Sequence, residues 1–67
     1  MTKTQFSRVT VTFLNAEGLK AAWEAKDFEG DVRVQDECLK VLMPRAVMVW
    51  PLARVVMCET HLAAPLF

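Results

Sequence analysis

The sequence predicts a small, mainly β protein: an antiparallel meander or partly open barrel of four to five strands. Three observations carry this expectation. β-Branched and aromatic residues alternate with polar ones near the start, as Val9-Thr10-Val11-Thr12-Phe13. Turn-forming residues recur between the apolar runs, at Asn15–Gly18, Glu29–Asp31 and Pro44-Arg45. Prolines also break the second half into short apolar pieces, each of strand length.

Residues 1–7 are polar and read as a frayed end or an edge extension. The first strand starts at Arg8, with Val9, Val11 and Phe13 on one face and Thr10 and Thr12 on the other. Asn15-Ala16-Glu17-Gly18 is a turn, because Asn and Gly tolerate the backbone angles a reversal needs. Residues 19–28 are ambiguous. Their Ala, Leu, Glu and Lys content favours a helix, which would give an α+β fold with a short helix at 16–27. At period two, however, Leu19, Ala21, Trp23 and Ala25 share a face opposite Lys20, Glu24 and Lys26, and the preceding turn suits a hairpin. The strand is the preferred alternative. Glu29-Gly30-Asp31 punctuates the chain, and Val32–Val34 begins a further extended stretch. Asp36-Glu37 interrupts it before Leu39, Val41 and Met43. Pro44-Arg45 turns the chain into Ala46–Trp50, Leu52–Arg54 form a bend, Val55–Thr60 make the last strand, and Leu62–Phe67 are an apolar tail.

A chain of 67 residues is a single domain, 1–67, with an ordered part expected over about 6–62. A domain of this size buries only ~60% of its unfolded surface, so the core alone leaves little margin. The hydrophobic fraction of 54% exceeds the ~45–50% of ordinary domains, which excludes disorder. Eight cations balance eight acids, so no global field draws the chain to nucleic acid or membrane. The charge is uneven along the chain. Glu24, Asp27, Glu29, Asp31, Asp36 and Glu37 cluster together, whereas residues 38–58 carry only Lys40, Arg45 and Arg54. A solvated acidic edge is the simplest reading of the cluster, and a docking patch for a basic partner is the alternative.

The two cysteines, Cys38 and Cys58, allow one bridge at most. Residues 2–12 are too polar for a secretory leader, so a cytoplasmic protein with free thiols is expected. The run from 38 to 58 does not span a membrane, because its apolar pieces fall far short of the ~20 residues required.

Little in the sequence supports catalysis. One histidine (His61), one serine (Ser7) and no tyrosine are present. A nucleophile needs a base beside it, and these two meet only if the first and last strands pair. Cys38, Cys58 and His61 are metal-compatible, but zinc prefers closely spaced ligand pairs. Residues 58 and 61 point to opposite faces of a regular strand, so no metal and no cofactor is expected. Asp27–Asp31 fails the calcium-loop spacing, with glycine at the fourth position instead of the sixth. Nucleic acid is disfavoured as a partner because no basic pair adjoins the aromatics.

The expected core is Val9, Val11, Phe13, Leu39, Val41, Val49 and Val55. The consecutive runs Val47–Trp50 and Val55–Cys58 place apolar side chains on both faces of their strands. One face fills the core, and the other calls for a partner. Met48, Trp50, Val56 and Met57 are therefore the expected interface of a homo-oligomer, most simply a two-fold dimer.

The strand layout, with Trp50-Pro51-Leu52 and Val55 leading into the last strand, resembles small uncharacterised β-rich accessory proteins encoded by bacteriophages. It implies action in the host cytoplasm on a host protein. The leading expectation is thus a non-enzymatic, self-associating module that binds a protein and inhibits or redirects it. One alternative is an oligomer enclosing a small, nucleotide-like anion, with Arg33, Arg45 and Arg54 as anion contacts and Trp50 as a stacking wall. Another is a structural component of a particle.

Overall fold

Period-two alternation carries the chain into five antiparallel strands. In the computed structural model, which describes residues 4–63, they are β1 (Thr4–Leu14), β2 (Lys20–Gln35), β3 (Cys38–Leu42), β4 (Val47–Pro51) and β5 (Val55–Leu62). A single 3-10 turn, Leu52–Arg54, joins β4 to β5. The strands form one open sheet in the order β4-β3-β2-β1-β5. Expectations for residues 1–3 and 64–67 lie outside the described residues.

The ambiguous segment is strand. Trp23 lies opposite Val11 and Ala25 opposite Val9, so the odd-numbered residues of β2 cover the buried side of β1. A helix over 16–27 would forfeit this register. The hairpin closes through Asn15, whose carboxamide oxygen accepts from the main-chain N–H groups of Glu17 at 2.9 Å and Leu19 at 3.0 Å.

Glu29–Asp31 does not end a strand as expected. β2 runs through it and changes partner, pairing with β1 up to Gly30 and with β3 from Asp31 onward. The hand-over depends on glycine: a Cβ at Gly30 would lie 1.9 Å from the main-chain oxygen of Leu42.

β1 and β2 both shift phase at Ser7 and Asp27. Val9 and Val11 are buried beyond this point, but Phe6 is buried before it; on β2 the inward set passes from Trp23 and Ala25 to Phe28. Asp27 carries a left-handed backbone, φ 53°, and β5 slips register against β1 between Phe6 and Arg8. This local bulge re-aims both strands together. The rings of Phe6 and Phe28 then meet with centroids 5.3 Å apart.

Asp36 and Glu37 join β2 to β3 as a two-residue turn with both φ values positive, 55° and 57°, the backbone of a type I′ hairpin. Leu39 and Val41 pair across β3–β4 with Trp50 and Met48, and that register decides which face of β4 points inward. β4 and β5 are opposite edges of the sheet, yet three residues connect them. The sheet therefore curls. Trp50 from one edge packs on Trp23 at 5.1 Å and Phe13 at 5.8 Å between ring centroids.

The buried core is Phe6, Val9, Val11, Phe28, Leu39, Val41 and Trp50. Phe13 and Val55, expected in it, are partly buried against its side. Val49 is a correction: it is 49% exposed, and its neighbour Trp50 only 8%. The reason is register, since Trp50 lies opposite the inward Leu39 whereas Val49 lies opposite Lys40.

Candidate functional site

Two surfaces differ from the rest of the molecule: an apolar strip along residues 46–57 and an open groove beside the β3–β4 hairpin. The strip arises because β4, the 3-10 turn and the start of β5 follow one another directly. Of the exposed positions between 46 and 57, only Arg54 is charged; the others include Val47, Val49, Pro51, Leu52, Val56 and Met57. Val47 and Met57 keep 55% and 50% of their surface in water. The strip also includes β4 and the start of β5, the two outer strands of the sheet, whose free sides present main-chain groups able to accept another strand. Val56 is the extra residue where β5 slips register between Thr12 and Phe13 of β1, which leaves its side chain outside.

The four residues expected at an interface divide. Val56 and Met57 lie on the strip. Met48 is partly buried against the core and Trp50 is inside it. On β4 the outward apolar face consists of Val47 and Val49, not of the expected Met48 and Trp50.

The groove has a volume of about 340 Å³. Ala25, Phe28, Met43, Pro44 and Ala46 form its apolar wall, and Lys26 and Arg45 supply its charge. It exists because the Asp27 bulge brings Phe28 inward while Pro44-Arg45 carries the hairpin past it. Sequence reasoning missed the groove: a phase shift within a strand leaves no periodic mark.

The three arginines expected as anion contacts do not form one cluster. Arg33 is engaged by Asp31, Nε to Oδ2, at 2.6 Å. That hydrogen bond holds the Asp31 carboxyl below the usual carboxylate value, helped by the Val32 N–H. Arg45 and Arg54 flank opposite ends of β4, one in the hairpin and the other in the 3-10 turn. Trp50 cannot act as a stacking wall because it is buried.

Ser7 and His61 do meet, because β1 pairs with β5, but not as nucleophile and base. The Ser7 hydroxyl donates to the main-chain oxygen of His61 at 3.1 Å. Arg8 Nη2 lies 2.9 Å from the imidazole Nε2. A guanidinium only donates, so Arg8 is the donor in this contact. Glu59 lies 3.6 Å from the same nitrogen, and Glu24 joins Lys26 at 3.6 Å. These side chains put charge on the outer face of β5-β1-β2, on which Met57 of the strip also lies, opposite Thr12.

Cys58 packs against the core opposite Val11, while His61 lies opposite Arg8. The two therefore diverge, and among the described residues no three His, Cys, Asp or Glu side chains converge. Both cysteines are free, and burial pushes the Cys58 thiol up from its ordinary value. No helix among the described residues is long and apolar enough to cross a membrane. Compared with known proteins, the chain matches no family model, no curated protein and no solved structure.

Proposed function

We propose that the chain is a non-enzymatic interaction module that self-associates and binds a protein through the strip of residues 46–57. The observation that carries this reading is the strip itself, two sheet edges and the turn between them exposing apolar side chains with one charge. Fully burying an aliphatic side chain is worth about 1.5–3 kcal/mol, so half-exposed Val47, Val49, Leu52, Val56 and Met57 together offer about 5 kcal/mol. Association costs at least ~4 kcal/mol. The side chains alone give a weak dimer, and strand pairing along a sheet edge has to supply the rest. A partner that adds a strand and covers the apolar residues satisfies both needs. Following the resemblance to phage accessory proteins, that partner is a host protein in the cytoplasm, inhibited or redirected by occupation.

Sedimentation at rising concentration tests self-association, and the 7.6 kDa chain should move toward twice its mass. Val49→Glu combined with Val56→Glu should hold it monomeric with its far-UV spectrum intact. In pull-downs from bacterial lysate, one protein should be retained by the parent and lost by the double variant. A parent that stays monomeric, with no capture sensitive to these two substitutions, would refute the proposal.

A further inference from the structure

The groove has features that the strip lacks. Its wall is apolar, and its only charged residues are two cations, in a chain whose formal charge is zero. Arg45 makes no hydrogen bond or ion pair among the described residues. Among the described residues Lys26 pairs with Glu24, at 3.6 Å, and its side chain is 65% exposed. No acid and no Ser, Thr, Asn or Gln lines the groove. A nucleotide base or sugar would therefore bury its polar edges without side-chain partners, at a cost that disfavours that class of ligand. An apolar body with one anionic head meets both the wall and the cations. The volume, about 340 Å³, lies at the lower end of the ~300–1,000 Å³ of small-molecule sites.

We propose that this groove binds a small apolar monoanion, an alkyl or aryl carboxylate, with its body against Phe28 and Met43 and its carboxylate between Lys26 and Arg45. The site adjoins the 46–57 strip at Ala46 and otherwise shares no residue with it, and its occupancy does not require the protein partner. Because the cations are exposed, they select the ligand more than they tighten it. The affinity comes mainly from the apolar wall.

Titration of the ¹⁵N-labelled chain with decanoate, followed by amide chemical shifts, tests the proposal. Saturable shifts should centre on Lys26, Phe28, Met43, Arg45 and Ala46, with a dissociation constant on the order of millimolar for a ligand of this size. Decanol should bind more weakly than decanoate. Lys26→Ala and Arg45→Ala should each weaken decanoate roughly two- to fivefold, the range for an exposed ion pair, while Arg45→Lys retains most of the affinity. Both sites are exposed, and an unchanged melting curve for each variant excludes misfolding. Equal binding of decanol, shifts centred on Val47–Met57, or no saturable shift up to the solubility of decanoate would overturn the assignment. So would binding to phosphatidylglycerol vesicles without binding to free decanoate, which would make the groove a lipid-surface contact.

Discussion

Neighbouring residues Val49 and Trp50 should respond in opposite ways to truncation, and the contrast tests the phase of β4 directly. The Trp50 side chain is 8% exposed and packs against two further rings, Trp23 at 5.1 Å and Phe13 at 5.8 Å between centroids. Trp→Ala at such a site costs about 3–5 kcal/mol. Two aromatic contacts, each worth about 0.5–1.5 kcal/mol beyond area, place it at the upper end. A chain of 67 residues, at about 0.05–0.15 kcal/mol per residue, has roughly 3–10 kcal/mol of stability in total. Trp50→Ala should therefore unfold the protein or bring it close to unfolding at room temperature. Trp50→Glu should do the same. Val49→Ala removes a half-exposed side chain and should cost about 0.5–1 kcal/mol. Urea unfolding followed by far-UV circular dichroism measures both. If Trp50→Ala keeps the parent midpoint, or Val49→Ala is the more damaging of the two, β4 faces the other way and the strip as described does not exist.

Gly30→Ala should be as damaging as a core truncation, because its Cβ would meet a main-chain oxygen that cannot swing aside; calorimetry should show the loss, and a wild-type melting curve would remove the case for a close β2–β3 hand-over. Asp36→Asn with Glu37→Gly should stabilise the protein by about 1 kcal/mol, since both positions hold left-handed backbone and Asn-Gly suits the turn. In a domain of this size that is a rise of about 4–8 °C in melting temperature; a fall would exclude the type I′ geometry. The Arg33 hydrogen bond keeps the Asp31 carboxyl below its ordinary value of 3.8. Its contribution is therefore present above that value and is lost as pH falls through the lower folded one. Asp31→Asn should flatten the acid limb of the stability profile, and an unchanged limb would show that the pair adds nothing in solution.

Where polar residues mark the pattern, the sequence disclosed the fold. Val9, Val11 and Phe13 alternate with threonines, so the phase of β1 could be read directly; in β2 the alternation of Trp23 with Lys20, Glu24 and Lys26 competed with a helix-favouring composition. Val47-Met48-Val49-Trp50 contains no such marker. Either phase satisfies composition, and only the pairing of Leu39 with Trp50 decides between them. Phe6 escaped notice for a different reason: the phase shift at Ser7 detaches it from the alternation that follows. Gly30 suggested a break because glycine punctuates more often than it permits close approach. The strip was legible as surplus apolar surface. The groove was not, because its walls come from the bulge of one strand and the hairpin of two others.

The pairing of β1 with β5 bears on how the chain reaches its native state. Ser7 and His61, hydrogen-bonded across that pair, are 54 residues apart in sequence. Closing so long a loop has an entropic cost before any contact rewards it, and domains dominated by such non-local pairings fold in milliseconds to seconds. The local hairpins, β1–β2 and β3–β4, can form on the microsecond scale. Between the two events β1 has an open edge, β4 is fixed only to β3, and residues 52–57 have no fixed place. During synthesis this interval lasts at least until β5 has left the ribosome. The segment proposed to bind a partner is thus also the segment most available for wrong pairing, and a partner present at translation would act on folding as well as on the folded protein.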